Sequence, residues 1–137
     1  MKIRHAHLYA ALIVLVAALT PASSLVAHTR SDEPETVMIT LHAKAGAEAE
    51  LAQVIARHWD TVRRLNLVRD TPHLTLRSAE GGQVDFVEIM TWRDASIPDA
   101  APPEIQSIWG EMSRLVEKRG DRPGLSIEQM SVIADRP

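Results

Sequence analysis

From Thr36 to Lys44 apolar and polar side chains alternate: Val37, Ile39, Leu41 and Ala43 fall on one face, Met38, Thr40, His42 and Lys44 on the other. A period of two marks a strand with one buried face. After Gly46 the period changes, and Leu51, Val54, Ile55, His58, Val62 and Leu65 recur at helical spacing between Ala47 and about Leu65. Acidic residues crowd the first turns of this segment and basic ones the last, as the helix dipole favours. Two further alternating runs, His73 to Arg77 and Val84 to Trp92, flank Gly81-Gly82, a favoured hairpin turn. If those glycines reverse the chain, Leu76 faces Val87, Leu74 faces Ile89, Thr75 faces Glu88, Arg77 faces Phe86 and His73 faces Met90. Leu74, Leu76, Val87 and Ile89 then share a face, and a slip of one residue would scatter them.

Ala95 to Pro103 reads as a proline-rich loop whose last two prolines suit the first turn of a helix. Ile105, Ile108, Trp109, Met112, Leu115 and Val116 form its apolar stripe, and Lys118-Arg119-Gly120 supplies a stop signal. Leu125 to Ile133 closes the pattern as a strand with Leu125 and Ile127 on its apolar face.

The order β-α-β-β-α-β folds most economically as an α+β domain, a four-stranded antiparallel sheet with two helices on one face. Alternation assigns Val37, Ile39, Leu41, Leu74, Leu76, Val87, Ile89, Leu125 and Ile127 to the helix side. The opposite face would then carry Met38, Thr40, His42, His73, Thr75, Arg77, Phe86, Glu88, Met90, Trp92, Glu128, Met130 and Val132. Its apolar patch around Met38, Phe86, Met90, Trp92 and Met130 is larger than a monomer usually leaves in water, so a cover is expected.

The segment before the domain changes the picture of where it works. Lys2 and Arg4 precede an unbroken apolar run from Leu8 to Leu19, too short for a bilayer that needs about 20 apolar residues. Small residues follow at Ala22, Ser23, Ser24 and Ala27, so residues 1–27 read as a cleavable signal peptide, 28–35 as a flexible lead-in, 36–133 as the domain and 134–137 as a tail. Export to the periplasm or the medium is therefore expected, with no stable membrane insertion after cleavage; an uncleaved N-terminal membrane anchor is the alternative. The 137 residues contain no cysteine, which leaves core burial to stabilise an exported domain and excludes thiol chemistry. Loss of Lys2 and Arg4 leaves 13 basic against 18 acidic side chains, so no nucleic acid partner is expected.

The strand-to-helix passage HAKAGAEAEL (42–51), the amphipathic first helix, the strand DFVEIMTWRD (85–94) ending near Trp92, and the returning strand after Gly124 carry a resemblance. Over about Thr36 to Ile133 the chain resembles the dimeric α+β barrel superfamily, which contains the antibiotic-biosynthesis-monooxygenase-like domains. That resemblance implies a ferredoxin-like βαββαβ fold, paired as a homodimer through the open sheet face around a cavity for a small apolar or aromatic ligand.

On the expected open face His42, His73, Arg77, Glu88 and Trp92 form the candidate site. Glu88 and His73 are the candidate general bases, and His42, Arg77, Met90 and Trp92 the candidate ligand-binding residues. The competing structural reading is an Arg77–Glu88 ion pair beneath the dimer interface. Two histidines and a carboxylate have the composition of a metal triad, but three separate strands supply them with no convergent motif, so neither a metal nor another cofactor is expected. His58, Trp59 and Trp109 read as packing residues of the helices. Serine-elbow, dinucleotide, Walker and H-E-x-x-H motifs do not occur. The leading expectation is therefore an exported homodimeric small-molecule-binding domain. Two alternatives stand beside it: a cofactor-independent monooxygenase or isomerase acting on an aromatic or polyketide-like compound, and a non-catalytic interaction scaffold.

Overall fold

A computed structural model describes residues 33–133. The expected signal peptide, the lead-in up to residue 32 and the tail lie outside the described residues. Strand β1 (Glu35–His42), helix α1 (Glu48–Arg64), strands β2 (Leu74–Glu80) and β3 (Gln83–Trp92), helix α2 (Pro103–Leu115) and strand β4 (Leu125–Met130) come in chain order, with one 3₁₀ turn at Ile97–Ala100 inside the proline-rich loop. The sheet order is β2-β3-β1-β4 and every neighbouring pair is antiparallel. This is the ferredoxin-like arrangement, and both helices pack on one face of it.

The hairpin register is as the alternation predicts: Leu74 pairs with Ile89, Thr75 with Glu88, Leu76 with Val87 and Arg77 with Phe86. Gly81 and Gly82 both adopt left-handed φ, 57° and 78°, which lets a two-residue turn follow the twist of the strands. The face of the hairpin is the reverse of the expected one. Val37 pairs with Met90, Ile39 with Glu88 and Leu41 with Phe86, so the inward face of β1 is continued by Phe86, Glu88, Met90 and Trp92. Leu74, Leu76, Val87 and Ile89 lie on the open face instead. Both faces of β3 are apolar, so alternation fixes which residues travel together and leaves open which set meets the helices. The bulkier set goes inside, where aromatic rings and a methionine remove more area from water. Phe86, Met90 and Trp92 are buried beneath α1 and α2, while Leu74 and Leu76 are about half exposed.

The core joins Val37, Ile39 and Leu41 of β1 to Leu51, Val54, Ile55 and Val62 of α1 and to Ile105, Ile108 and Met112 of α2. Each fully buried aliphatic side chain contributes about 1.5–3 kcal/mol of transfer free energy. Helix α2 stops at Leu115, one residue before its apolar stripe ends and about a turn before the expected stop signal. Val116 turns extended and bridges to Ala43, with Lys44 N–H donating to the Leu115 carbonyl and Glu117 N–H to that of His42. Thus Val116 packs as a strand residue at the sheet end. Gly124 closes this crossing: a Cβ there would lie 2.9–3.0 Å from the Glu117 backbone.

Candidate site between the helices and the sheet

On the stripe of α1 that meets the sheet, two buried positions are polar, His58 and Thr61, and Thr61 Oγ1 donates within the helix to the Arg57 carbonyl. His58 falls in step with Leu51, Val54, Ile55 and Val62, and the packing that buries them leaves it 0% exposed. From α2, the half-buried Trp109 donates its indole N–H to His58 Nε2 at 3.1 Å. An Nε2 that accepts leaves the ring proton on Nδ1, a tautomer assigned from the hydrogen-bond pattern. That Nδ1 faces Glu88 Oε2 at 3.5 Å. That separation is too long for a hydrogen bond, so among the described residues both buried atoms stand without a hydrogen-bond partner.

Glu88 is also 0% exposed, carried inward by the same alternation that buries Phe86 and Met90. Its second oxygen, Oε1, lies 3.3 Å from Nε2 of His73, the residue just before β2. The His73 ring stacks on Trp59 of α1, with centroids 3.4 Å apart and planes 1° from parallel, and Thr75 Oγ1 stands 3.5 Å from the same Nε2. Among the described residues the ionisable partners of Glu88 are these two imidazoles; no lysine or arginine pairs with it. A carboxylate taken out of water without a strong cation is costly, so its position demands a compensating role for the imidazole protons. Trp92 closes the cluster, edge-on to Trp109 at 6.3 Å and to His58 at 6.4 Å.

Beside His58 opens a cavity of about 180 Å³ lined by Ile39 of β1, Trp109, Met112 and Ser113 of α2, and Leu125 and Ile127 of β4. Ile127, 62% exposed, stands at its rim on the β4 edge. A wider groove of about 470 Å³ runs past Arg69, Thr71, Gln129 and Ser131. It contains no buried titratable side chain, whereas the smaller cavity ends on one.

The structure brings together two of the expected site residues, Glu88 and His73, and adds His58 and Trp109, expected from the sequence to be packing residues. In the sequence His58 is the i+7 member of an apolar stripe that starts at Leu51, a pattern that a ligand-facing ring and a core ring share. Met90 and Trp92 are buried on the helix side rather than displayed on the open face. Arg77 forms no pair with Glu88; it lies on exposed β2 near Glu48, at a groove with Val84 and Phe86. The Glu48 carboxyl is held below its ordinary range by its own and the Gly46 backbone N–H groups, with Arg77 adding a lesser electrostatic pull.

His42 stands apart, with Nδ1 2.7 Å from Asp85 Oδ1. Arg119 caps the same carboxylate and donates to the carbonyls of Ala43 and Val84 at 2.9 and 3.0 Å. This clasp ties the segment after α2 to the sheet end. Among the described residues no group of three or more His, Asp or Glu is arranged to hold a metal ion. In the cluster itself each imidazole faces a different carboxylate oxygen.

Sheet order and helix placement give the chain a ferredoxin-like fold, which it shares with solved structures. No family model matches the chain, and neither does any curated protein. Among solved structures it is similar to SnoaB, a cofactor-independent oxygenase from Streptomyces nogalater, at 20% identity over 78% of this chain and 99% of that one, with a TM-score of 0.54. It is also similar to a dimeric ferredoxin-like protein of unknown function from Jannaschia sp. CCS1, at 18% identity over 72% and 99%, TM-score 0.53. A Caulobacter crescentus protein provisionally described as an antibiotic biosynthesis monooxygenase matches at 13% identity over 74% and 92%, TM-score 0.57. At these identities the likeness is one of fold.

Proposed function

We propose that the chain is an exported, homodimeric small-molecule-binding protein whose ligand sits in the cavity between α1, α2 and the β1/β4 half of the sheet. One observation carries this reading: an otherwise apolar cavity ends on a wholly buried histidine held by a tryptophan N–H. A few convergent polar groups in an apolar cavity are what orient a small ligand. Size narrows the class. At about 180 Å³ the space is close to the roughly 150 Å³ that accommodates benzene in an engineered core, and well below that of drug-sized sites. A single-ring compound fits, and a multi-ring polyketide does not without widening the site.

Uptake is tested with phenol and toluene. Wild type should gain thermal stability with increasing concentration of either, because a ligand of the folded state stabilises by mass action. Ser113→Trp, at the exposed rim, should fill the mouth and abolish the gain while leaving the unliganded unfolding temperature nearly unchanged. Equal gains in both proteins would place the ligand elsewhere.

A second reading, cofactor-independent oxygenation or isomerisation, is favoured by the carboxylate behind His58. A base oriented by a third group is the arrangement that accepts a proton from a bound substrate. Export rests on Lys2, Arg4 and the Leu8 to Leu19 run. The exported protein should begin between about Leu25 and Ser31 on N-terminal sequencing. An intact Met1 in the membrane fraction would show an anchor instead.

A further inference from the structure

We propose that His58, Glu88 and His73 form a proton exit from the cavity to solvent, and that the compounds it serves are small ring acids, phenols or enols, bound as their anions. The route deepens the reading of the cavity as a ligand site and depends on it.

Three observations carry it. The groups stand in line: the indole N–H of Trp109 marks His58 Nε2 as the accepting atom at the cavity, His58 Nδ1 faces Glu88 Oε2, and Glu88 Oε1 faces His73 Nε2. The line is graded in exposure, with His58 and Glu88 sealed and the His73 side chain 22% exposed, so it has one wet end. It is also isolated. Among the described residues the ionisable groups paired with Glu88 are His58 from α1 and His73 just before β2; Thr75 reaches His73, and the non-titrating Trp109 of α2 reaches His58. A purely structural carboxylate would be expected to carry an arginine or lysine, as Asp85 does with Arg119.

The transfer balances without a co-reactant. A ligand O–H displaces the Trp109 N–H and gives its proton to His58 Nε2, leaving a ligand oxyanion that accepts the indole N–H. His58 gives its Nδ1 proton to Glu88 Oε2 and is neutral again. After a half-turn of its carboxyl group Glu88 passes that proton to Nε2 of His73 in its Nδ1–H form, and His73 releases the Nδ1 proton to water. The net change is one ligand anion in the cavity and one proton in solvent, with both imidazoles left neutral in the Nε2–H form. The two gaps, 3.5 and 3.3 Å, exceed a normal hydrogen bond by a few tenths of an ångström, as such contacts commonly do before a ligand tightens them.

The test uses the full exported domain and para-nitrophenol, whose anion absorbs visible light, in weakly buffered solution acidic enough to keep the free compound protonated. Wild type should bind it with the anion's absorbance and release one proton per molecule bound, read by an indicator dye in stopped flow. His73→Phe keeps a ring on Trp59 and removes the ring nitrogens; proton release should slow roughly a hundredfold. Glu88→Gln should do the same without changing side-chain shape. Toluene, which has no acidic proton, reports in each variant that the domain is folded and the cavity intact. Proton release at the wild-type rate in His73→Phe overturns the exit, as does wild-type binding of the anion with no proton released. Failure of wild type to bind both para-nitrophenol and toluene would instead remove the cavity as a ligand site, and the route with it.

Discussion

Single residues show how much chemistry depends on neighbours that a one-dimensional pattern does not reveal. Glu88 and His73 were legible as a pair because both derive from the hairpin register. His58 was legible only as a buried position, since its partners arrive from β3 and α2, 30 and 51 residues further along the chain. Asp94 is a simpler case of local control. The Ser96 hydroxyl and backbone N–H both donate to its Oδ1, at 2.6 and 2.7 Å, and hold the carboxyl below its ordinary range. A carboxyl lowered in the folded state contributes stability that is present above its unfolded pKa of about 3.9 and is lost as pH falls through the folded value. Asp94→Asn should therefore lower the unfolding temperature at neutral pH, with the difference shrinking in strong acid. Thermal unfolding across pH checks this, and a pH-independent difference would show that charge plays no part.

At the scale of elements, the sequence specified positions along the chain better than orientations across it. The end of α1 is an example with a measurable cost. Asn66 takes φ 56°, its N–H donates to Arg63 O, and Leu67 N–H donates to Val62 O, so the last carbonyls are satisfied by a Schellman turn. Asparagine tolerates the left-handed region better than most side chains and glycine better still. Asn66→Ala should lose roughly 1 kcal/mol in urea unfolding, while Asn66→Gly should be neutral or slightly stabilising. Equal destabilisation by both would mean that the asparagine side chain, rather than the backbone conformation, carries the turn. The early stop of α2 was not legible, because Leu115 and Val116 continue the helical stripe. The cause of the stop is tertiary: Val116 pairs with Ala43, and Arg119 anchors the segment after the helix to the carbonyls at the sheet end.

For the whole molecule, the inverted hairpin moves the expected apolar cover rather than removing the need for it. Leu74, Leu76 and Met130 are 40–49% exposed on the open face, beside the half-buried Met38, Val87 and Ile89. These side chains form one continuous surface because β2, β3, β1 and β4 are consecutive neighbours in the sheet. A second copy is the proposed cover, and the inversion changes which mutation tests it. Met90 is 0% exposed beneath the helices, so Met90→Glu would place a charge in the core and unfold the domain whatever its oligomeric state. Leu76, 49% exposed in the single chain, can accept a charge there at little cost; in a dimer the same charge would be buried without a partner. Leu76→Glu should therefore sediment as a monomer with wild-type circular dichroism, and Met90→Glu should lose the folded signal. A wild-type protein that sediments as a monomer at micromolar concentration, or a Leu76→Glu variant that remains dimeric, would show that the open sheet face is not where two copies meet.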